Sequence, residues 1–260
     1  MNGIDVSIII PAYNAAQHLQ NRYNGIRNAM NKLNCTIEIV FINDGSTDNT
    51  VDVATDILRQ AESDEIKVKF IHNDINIGTF EAEYSGVWAA SGKYVFFQDA
   101  DDPFNYLLLN ELVNLRETIS PKVHIAAPAK LLVDGTDSSY GFFTYLGDVK
   151  KTIREMIKNS RGMISRRSLF ETQQMRIVYR DIRNILTKNN ITTINCVQDS
   201  IVIVYMFGER IFEYVMETQN HYLYEVGNET NVTKDTDQRE KDIPVLRAFC
   251  QEALDKLEAT

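Results

Sequence analysis

Glycine and proline are scarce, 12 and 5 residues among 260, and no repeat or low-complexity linker interrupts the chain, so disorder is expected only at its ends. Cysteine is limited to Cys35, Cys196 and Cys250, scattered without metal-binding spacing. They read as reduced thiols of a cytosolic protein, which makes the glycosylation sequons at Asn228 and Asn231 chance matches. No apolar run approaches the length of a membrane span, and Met1-Asn2-Gly3-Ile4-Asp5 offers no basic segment ahead of an apolar stretch. The expectation is a chain that is neither secreted nor membrane-spanning. Positive charge is also short: 27 Lys and Arg stand against 36 Asp and Glu, a net charge of −9. That balance argues against nucleic acid as the main ligand, because backbone phosphates call for a basic surface. The length allows one large or two small domains with an ample core.

The first half alternates two periodicities. Val6 to Ile10, Ile37 to Ile42, Val68 to Ile71 and Tyr94 to Phe97 are short apolar runs that read as buried strands. Between them, Leu19, Tyr23, Ile26, Met30 and Leu33 recur at helical spacing. Ser46-Thr47-Asp48 offers caps for a helix carrying Val51, Ala54, Ile57, Leu58 and Ala61, and Phe80 to Ser91 forms a helix stopped by Gly92. This βαβαβαβ series predicts a parallel sheet with helices on both faces. The second half is more mixed. It reads as a helix over 107–118, a strand over 123–127, a loop or hairpin over 131–147, a helix over 199–207, a strand over 211–215 and an amphipathic helix over 245–257.

In open parallel sheets, ligands lie beyond the carboxyl ends of the strands. Four polar, turn-forming sets follow the four strands: Pro11-Ala12-Tyr13-Asn14, Asn43-Asp44-Gly45-Ser46, Asn73-Asp74-Ile75-Asn76-Ile77-Gly78 and Asp99-Ala100-Asp101-Asp102. The crowded carboxylates of the last set call for neutralisation by a cation or by partner charges. Hard oxygen donors suit Mg²⁺ or Mn²⁺, which share their coordination with substrate phosphates; the plain alternative is a solvated acidic turn ahead of Pro103. No glycine-rich phosphate fingerprint follows the first strand.

Val6-Ser-Ile-Ile-Ile-Pro-Ala-Tyr-Asn14, Phe41-Ile-Asn-Asp-Gly-Ser-Thr-Asp48, Asn76-x-Gly78 and Gly92-Lys-Tyr-Val-Phe-Phe-Gln-Asp-Ala-Asp-Asp102 closely resemble, in order and spacing, family 2 glycosyltransferases of the GT-A fold. The resemblance implies an inverting hexosyl- or N-acetylhexosaminyltransferase using a nucleotide-diphosphate sugar and Mn²⁺ or Mg²⁺. It also implies a single domain, with 1–120 as the nucleotide-sugar half, 121–235 as the acceptor half and 236–260 as a C-terminal helix. Carried over by residue, Pro11, Ala12, Tyr13 and Asn14 border the nucleoside. Asp44 accepts a hydrogen bond from the base, and Asn76 and Gly78 lie near base and ribose. Asp99 contacts the ribose or a metal-bound water, with Ala100 beside it, and Asp101 is the principal metal ligand.

The likeness continues more weakly beyond. Arg161-Gly162-Met163-Ile164-Ser165-Arg166-Arg167 resembles the segment preceding the acceptor region, and Gln198-Asp199 resembles the family's Glu-Asp helix, whose second acid is the general base. A lone Asp opening a helix also serves as a cap. Two departures remove positive charge expected near a diphosphate. Glu83 stands where relatives carry arginine, and Glu225 and Gly227 stand where they often show Arg and His. The metal, Lys130, Arg161 or Arg166 compensates, or donor binding is weak; Asp102 and His221 are further candidate contacts.

UDP is the favoured nucleotide by family analogy, with dTDP and GDP behind it, and a saccharide or lipid-linked saccharide of a bacterial surface polysaccharide is the acceptor implied. The closing helix, with Arg239, Lys241, Arg247 and Lys256 among acids, is too mixed in charge to argue membrane attachment. A peripheral contact at the inner face of the membrane and a homodimer both stay open. A scaffold protein that has lost catalysis is the alternative. A nucleotidyltransferase would show a basic, Gly-rich loop after strand one, and a haloacid-dehalogenase-type phosphatase would place its nucleophile there.

Overall fold

A computed structural model of the protein describes residues 3–133, 136–138, 148–159, 168–195, 197–226 and 236–259. The apolar runs form its central sheet. Strand β1 (Val6–Ala12) lies between β2 (Ile37–Asp44) and β4 (Tyr94–Phe97), with β3 (Val68–Asn73) outside β2, all parallel. Side chains alternate faces along a strand. Ile9, Val40, Ile42, Val95 and Phe97 accordingly fill one core, and Ile8, Ile10, Ile39, Phe41 and Phe96 fill the other. Helices α1 (Ala16–Ala29), α2 (Thr50–Ser63) and α4 (Tyr106–Thr118) cover the second core, and a 3₁₀ turn, Met30–Lys32, extends α1. The first core lies under α3 (Thr79–Ala89) and three helices of the second half, α6 (Thr172–Lys188), α7 (Gln198–Gly208) and α8 (Thr236–Glu258). Helix α5 (Val149–Asn159) lies against α8, with Arg154 and Glu258 paired.

Beyond the main sheet, β5 (Val123–Ala126) pairs in parallel with β9 (Tyr214–Glu217). Strand β6 (Ala129–Val133) pairs antiparallel with β7 (Thr136–Ser138) and parallel with β10 (Tyr222–Val226). A two-residue strand, β8 (Phe170–Glu171), closes the main sheet antiparallel to β4, in the order β3-β2-β1-β4-β8.

Strand lengths decide where the functional edge lies. Gln98 N–H donates to Ile9 O at 3.0 Å, one residue past the end of β4. Backbone groups alternate sides along a strand, so Pro11 faces β4 just as Ile9 does. Lacking an N–H, Pro11 cannot carry that ladder further, while on the other side β1 stays paired with β2 to Ala12. The chain therefore leaves the sheet after Gln98, and the acidic turn starts there.

The alternating series is as expected, with three of the four first-half strands reaching two residues further. The second half departs more. The strand expected at 211–215 lies at Tyr214–Glu217, the closing helix starts nine residues earlier, at Thr236, and α5 and α6 were not expected. The hairpin reading holds for β6 and β7. Residues 139–147, 160–167 and 227–235, with Cys196, the sequons and Gly227, lie outside the described residues.

At the amino edge of the sheet, Glu38 is fully buried. It accepts from Ser7 Oγ at 2.7 Å and from the Ser91 N–H, with Lys69 and Lys67 Nζ at 3.2 and 3.4 Å. Burial opposes its ionisation, but the Ser91 N–H, the Ser7 hydroxyl and Lys69 outweigh it and hold the carboxyl below the usual carboxylate range. The resulting stability is present above the unfolded carboxyl value of about 4.3 and is lost as pH falls through the lower folded value. Glu38→Gln is expected to cost about 3 kcal/mol at neutral pH, with the gap to wild type closing on acidification. Urea melts of both proteins at neutral pH and in mild acid measure this; equal stability at neutral pH would dismiss the clamp.

Candidate functional site

The four loops at the carboxyl edge are tied together by their own side chains. Asn14 has a left-handed backbone (φ 50°), which Asn tolerates better than most residues. Its N–H donates to Ser46 Oγ at 2.9 Å, and its Oδ1 accepts from Thr47 N–H at 2.8 Å. Asp48 Oδ2 accepts from Ala16 N–H at 3.2 Å and Oδ1 from Thr50 N–H at 3.0 Å. Burial works against ionisation of Asp48, yet the bonds from Thr50 and Ala16 hold its carboxyl below the ordinary range. The start of α2 follows Asn49, which makes no side-chain cap; of the three expected caps, Asp48 supplies that bond.

Asp44 organises the third loop. The Ile77 N–H donates to its Oδ1 at 2.9 Å and the Gly78 N–H to its Oδ2 at 3.0 Å, with Asn73 Nδ2 at 3.3 Å. The carboxylate is buried, so any contact with a nucleobase would be an added acceptor bond on a group that already holds the loop. Gly45 (φ 68°) lets the loop pass: a Cβ there would sit 2.1 Å from Asn76 N and 2.2 Å from Ile75 C. Ile75 and Tyr13 stand exposed on this edge, and Asn76 accepts from the Gly78 N–H at 3.0 Å.

The second half reaches the same edge. Asn195 Oδ1 accepts from the Thr79 N–H at 2.9 Å, capping α3 from 116 residues away. Asn195 N–H donates in turn to Asp242 Oδ2 of α8 at 3.0 Å. Asp199 lies four residues on, in the first turn of α7; it is half-buried, and its Oδ1 accepts from the Ser200 N–H at 2.8 Å. Asn195 thus brings the segment ahead of α7 beside the loop that holds Asn76 and Gly78.

In the acidic turn, Asp99 and Asp101 are half-buried, and Ala100 and Asp102 are buried. Asp102, a candidate contact, is fully buried. Three side chains that sequence reasoning passed over hold the backbone here. Arg22 of α1, itself buried, donates from Nε to Ala100 O at 3.3 Å. Gln98 Nε2 donates to Asp102 O and to Tyr222 Oη, both at 3.0 Å. The Asp99 N–H donates to the same Tyr222 oxygen at 3.1 Å. Gln98 was legible as the one amide inside an apolar strand; Arg22 and Tyr222 carry no sequence signal of this role. His221, expected in a strand, is an exposed residue just ahead of β10, and its carbonyl accepts from Asn105 Nδ2 at 2.9 Å.

Among the described residues, no three His, Cys, Asp or Glu side chains gather into a metal site. The turn offers two half-buried carboxylates, a set that suits a cation completing its coordination with phosphate oxygens and water. Glu83 does not face this edge. On α3, it is buried and accepts from Tyr179 Oη of α6 at 2.9 Å. Arg161 and Arg166 lie outside the described residues, as do the side chains of Lys130 and Glu225. Among the described residues, no helix is long and apolar enough to cross a membrane.

The family model described as Glycosyl transferase family 2 matches residues 7–173. An uncharacterized glycosyltransferase of Nostoc sp. is 38% identical over 113 residues, a stretch covering 44% of this chain and 33% of that one. An uncharacterized glycosyltransferase of Haemophilus influenzae is 34% identical over 122 residues, 44% of this chain and 46% of the other. The chain thus matches less than half the length of these curated relatives. Among solved structures, S. aureus TarS 1-349 in complex with UDP-GlcNAc superposes with a TM-score of 0.60 at 18% identity, covering 96% of this chain and 70% of that one. Glucosyl-3-phosphoglycerate synthase of Mycobacterium tuberculosis, in complex with Mn²⁺, UDP and glucosyl-3-phosphoglycerate, gives 0.54 at 14% identity, covering 96% and 81%. The fold is the GT-A fold of these neighbours.

The close approach at Gly45 has a direct test. Gly45→Ala is expected to cost more than about 2 kcal/mol, because the methyl meets backbone and the residue must keep a positive φ. Gly25→Ala, inside α1 with nothing nearer its Cβ than Phe104 Cβ at 3.9 Å, should instead stabilise by up to about 1 kcal/mol. Chemical denaturation of the two variants reads the contrast, and similar melts would dismiss the steric argument.

Proposed function

The chain belongs to glycosyl transferase family 2, and from that premise we propose that it transfers a hexose or N-acetylhexosamine from a UDP-sugar to a hydroxyl of a saccharide or lipid-linked saccharide, with inversion at the anomeric carbon. The observation that carries the reading is the acidic turn, whose Asp99 and Asp101 stand on one sheet edge with the Asn14, Asp44 and Gly78 loops. The complexes of structural neighbours with UDP-GlcNAc, and with Mn²⁺ and UDP, support the donor class and the metal. The division into a nucleotide-sugar half over 1–120 and an acceptor half over 121–235 belongs to this proposal.

Each residue then has a task. Pro11, Ala12, Tyr13 and Asn14 border the nucleoside, and Asp44 presents its carboxylate to the base while holding Ile77 and Gly78. Asp101, with Asp99, would hold Mn²⁺ or Mg²⁺, which supplies neutralising charge for the diphosphate as it departs. Asp199 acts as general base. It takes the proton of the acceptor hydroxyl as that oxygen bonds to the anomeric carbon, and the bond to the diphosphate oxygen breaks with its electron pair leaving on the nucleotide. A single displacement needs its base on the side opposite the leaving group, and Asp199 comes from a different half of the chain than Asp101.

Asp101→Asn is expected to cut metal-supported transfer on the order of a hundredfold or more while leaving the fold intact. UDP release from a panel of UDP-sugars with Mn²⁺ or with chelator measures this. Normal transfer by the variant in chelator would dismiss the metal assignment, and silence of the wild type on every donor would favour the scaffold alternative.

For Asp199→Asn, UDP binding should persist while kcat falls roughly a hundred- to ten-thousandfold, the scale of a positioned base. The near-isosteric amide keeps an oxygen for the Ser200 N–H, so the melting temperature should barely move. Normal turnover would leave Asp199 as a helix-end residue only.

A further inference from the structure

We propose that Tyr222, acting through Gln98, is a positioning residue that sets the backbone of the acidic turn, so that strand β10 of the second half governs how Asp99 and Asp101 meet the nucleotide-sugar diphosphate. The inference rests on the metal-and-nucleotide reading above. A turn carrying several carboxylates is pushed apart by its own charge, and its geometry must be imposed from outside. Here neutral donors and one cation impose it. Gln98, 1% exposed, has two amide hydrogens serving Asp102 O, Tyr222 Oη and, at 3.3 Å, Asp99 O. Tyr222, 2% exposed, accepts on one oxygen from both Gln98 Nε2 and the Asp99 N–H. Its two lone pairs thus tie the first residue of the turn to the side chain that holds the last. From the other face, Arg22 holds Ala100 O.

The position of the tyrosine oxygen is itself fixed by the second half. Strand β10 pairs with β6 from Tyr222 onward, and the preceding residue is anchored by Asn105 through His221 O. Glu111 of α4 takes the N–H groups of Gln219 and Asn220 at 2.7 and 2.8 Å, so the approach to β10 is stapled as well. A segment held this firmly, and continuous with the acceptor half, transmits its place to Asp99 through a single hydroxyl. Groups that orient metal-binding carboxylates typically alter metal affinity by about 10- to 100-fold when removed.

Calorimetric titration of UDP at stepped Mn²⁺ concentrations tests this in the full chain, with Tyr222→Phe, Gln98→Leu and a control, Tyr23→Phe. The control removes another buried tyrosine hydroxyl, one that donates to Asp64 at 2.8 Å. Tyr222→Phe should raise the Mn²⁺ needed for half-maximal UDP binding about tenfold or more. UDP affinity without metal should stay as in wild type, and Tyr23→Phe should leave the Mn²⁺ requirement alone. An unchanged requirement in Tyr222→Phe, or an equal change in Tyr23→Phe, overturns the inference while the functional reading stands. If wild type binds UDP identically with and without Mn²⁺, the metal reading itself fails and takes the inference with it. Should Tyr222→Phe not fold, Gln98→Leu gives the same readout, with the same requirement as wild type again overturning the proposal.

Discussion

A missing backbone hydrogen at Pro11 sets the geometry of the functional edge. Because β1 cannot donate toward β4 beyond Ile9, the β4 chain departs at Gln98 while β1 and β2 continue together. The two departures are staggered, β4 leaving after the residues opposite Ile9 while β2 stays paired to Ala12. A fully laddered β4 would have aligned Asp99 with Pro11 as one more strand residue. Every later device on this edge acts on a loop whose starting point that proline has chosen.

The loops themselves are then built by side chains borrowed across the sequence. Asn14 reaches to 46 and 47, Asp44 to 77 and 78, Asn195 to 79, and Tyr222 to 99. Most of these bonds end on backbone N–H groups, which fixes chain path and leaves other side-chain surfaces for a ligand. An edge assembled this way is organised before anything binds, so a nucleotide would meet loops that need little further ordering.

The first-half strands and the four loop motifs were legible because each depends on neighbours in sequence: isoleucine runs, caps, a glycine after an Asp. The second half was less so. Helix α6 shows Met175, Val178, Ile182 and Leu186 at helical spacing, yet Glu171 makes no side-chain cap to mark its start. The start of β9 was misplaced because Ile211 and Phe212 are apolar for core reasons, with Phe212 packed against His124 and Phe207. At the site, Asp44 was legible as a polar loop residue, but its grip on Ile77 and Gly78 was not, and neither Arg22 nor Tyr222 could be found without knowing what the fold sets against the turn. Glu83 stands where relatives carry arginine, and its burial against Tyr179 could not be read from its place in the motif.

The capping of α3 by Asn195 and the seating of Asn195 on Asp242 also bear on how the protein is made. Synthesis delivers the first four strands and all four edge loops long before residues 195, 222 and 242 leave the ribosome. The early chain can pair β1 with β2 and close Asp44 on its loop, the latter through bonds that span only 33 and 34 residues. The bond to Tyr222 spans 123 residues and arrives well after them. A nascent chain thus carries an acidic turn whose shape is not yet imposed, and the edge matures only once β10 has been synthesised.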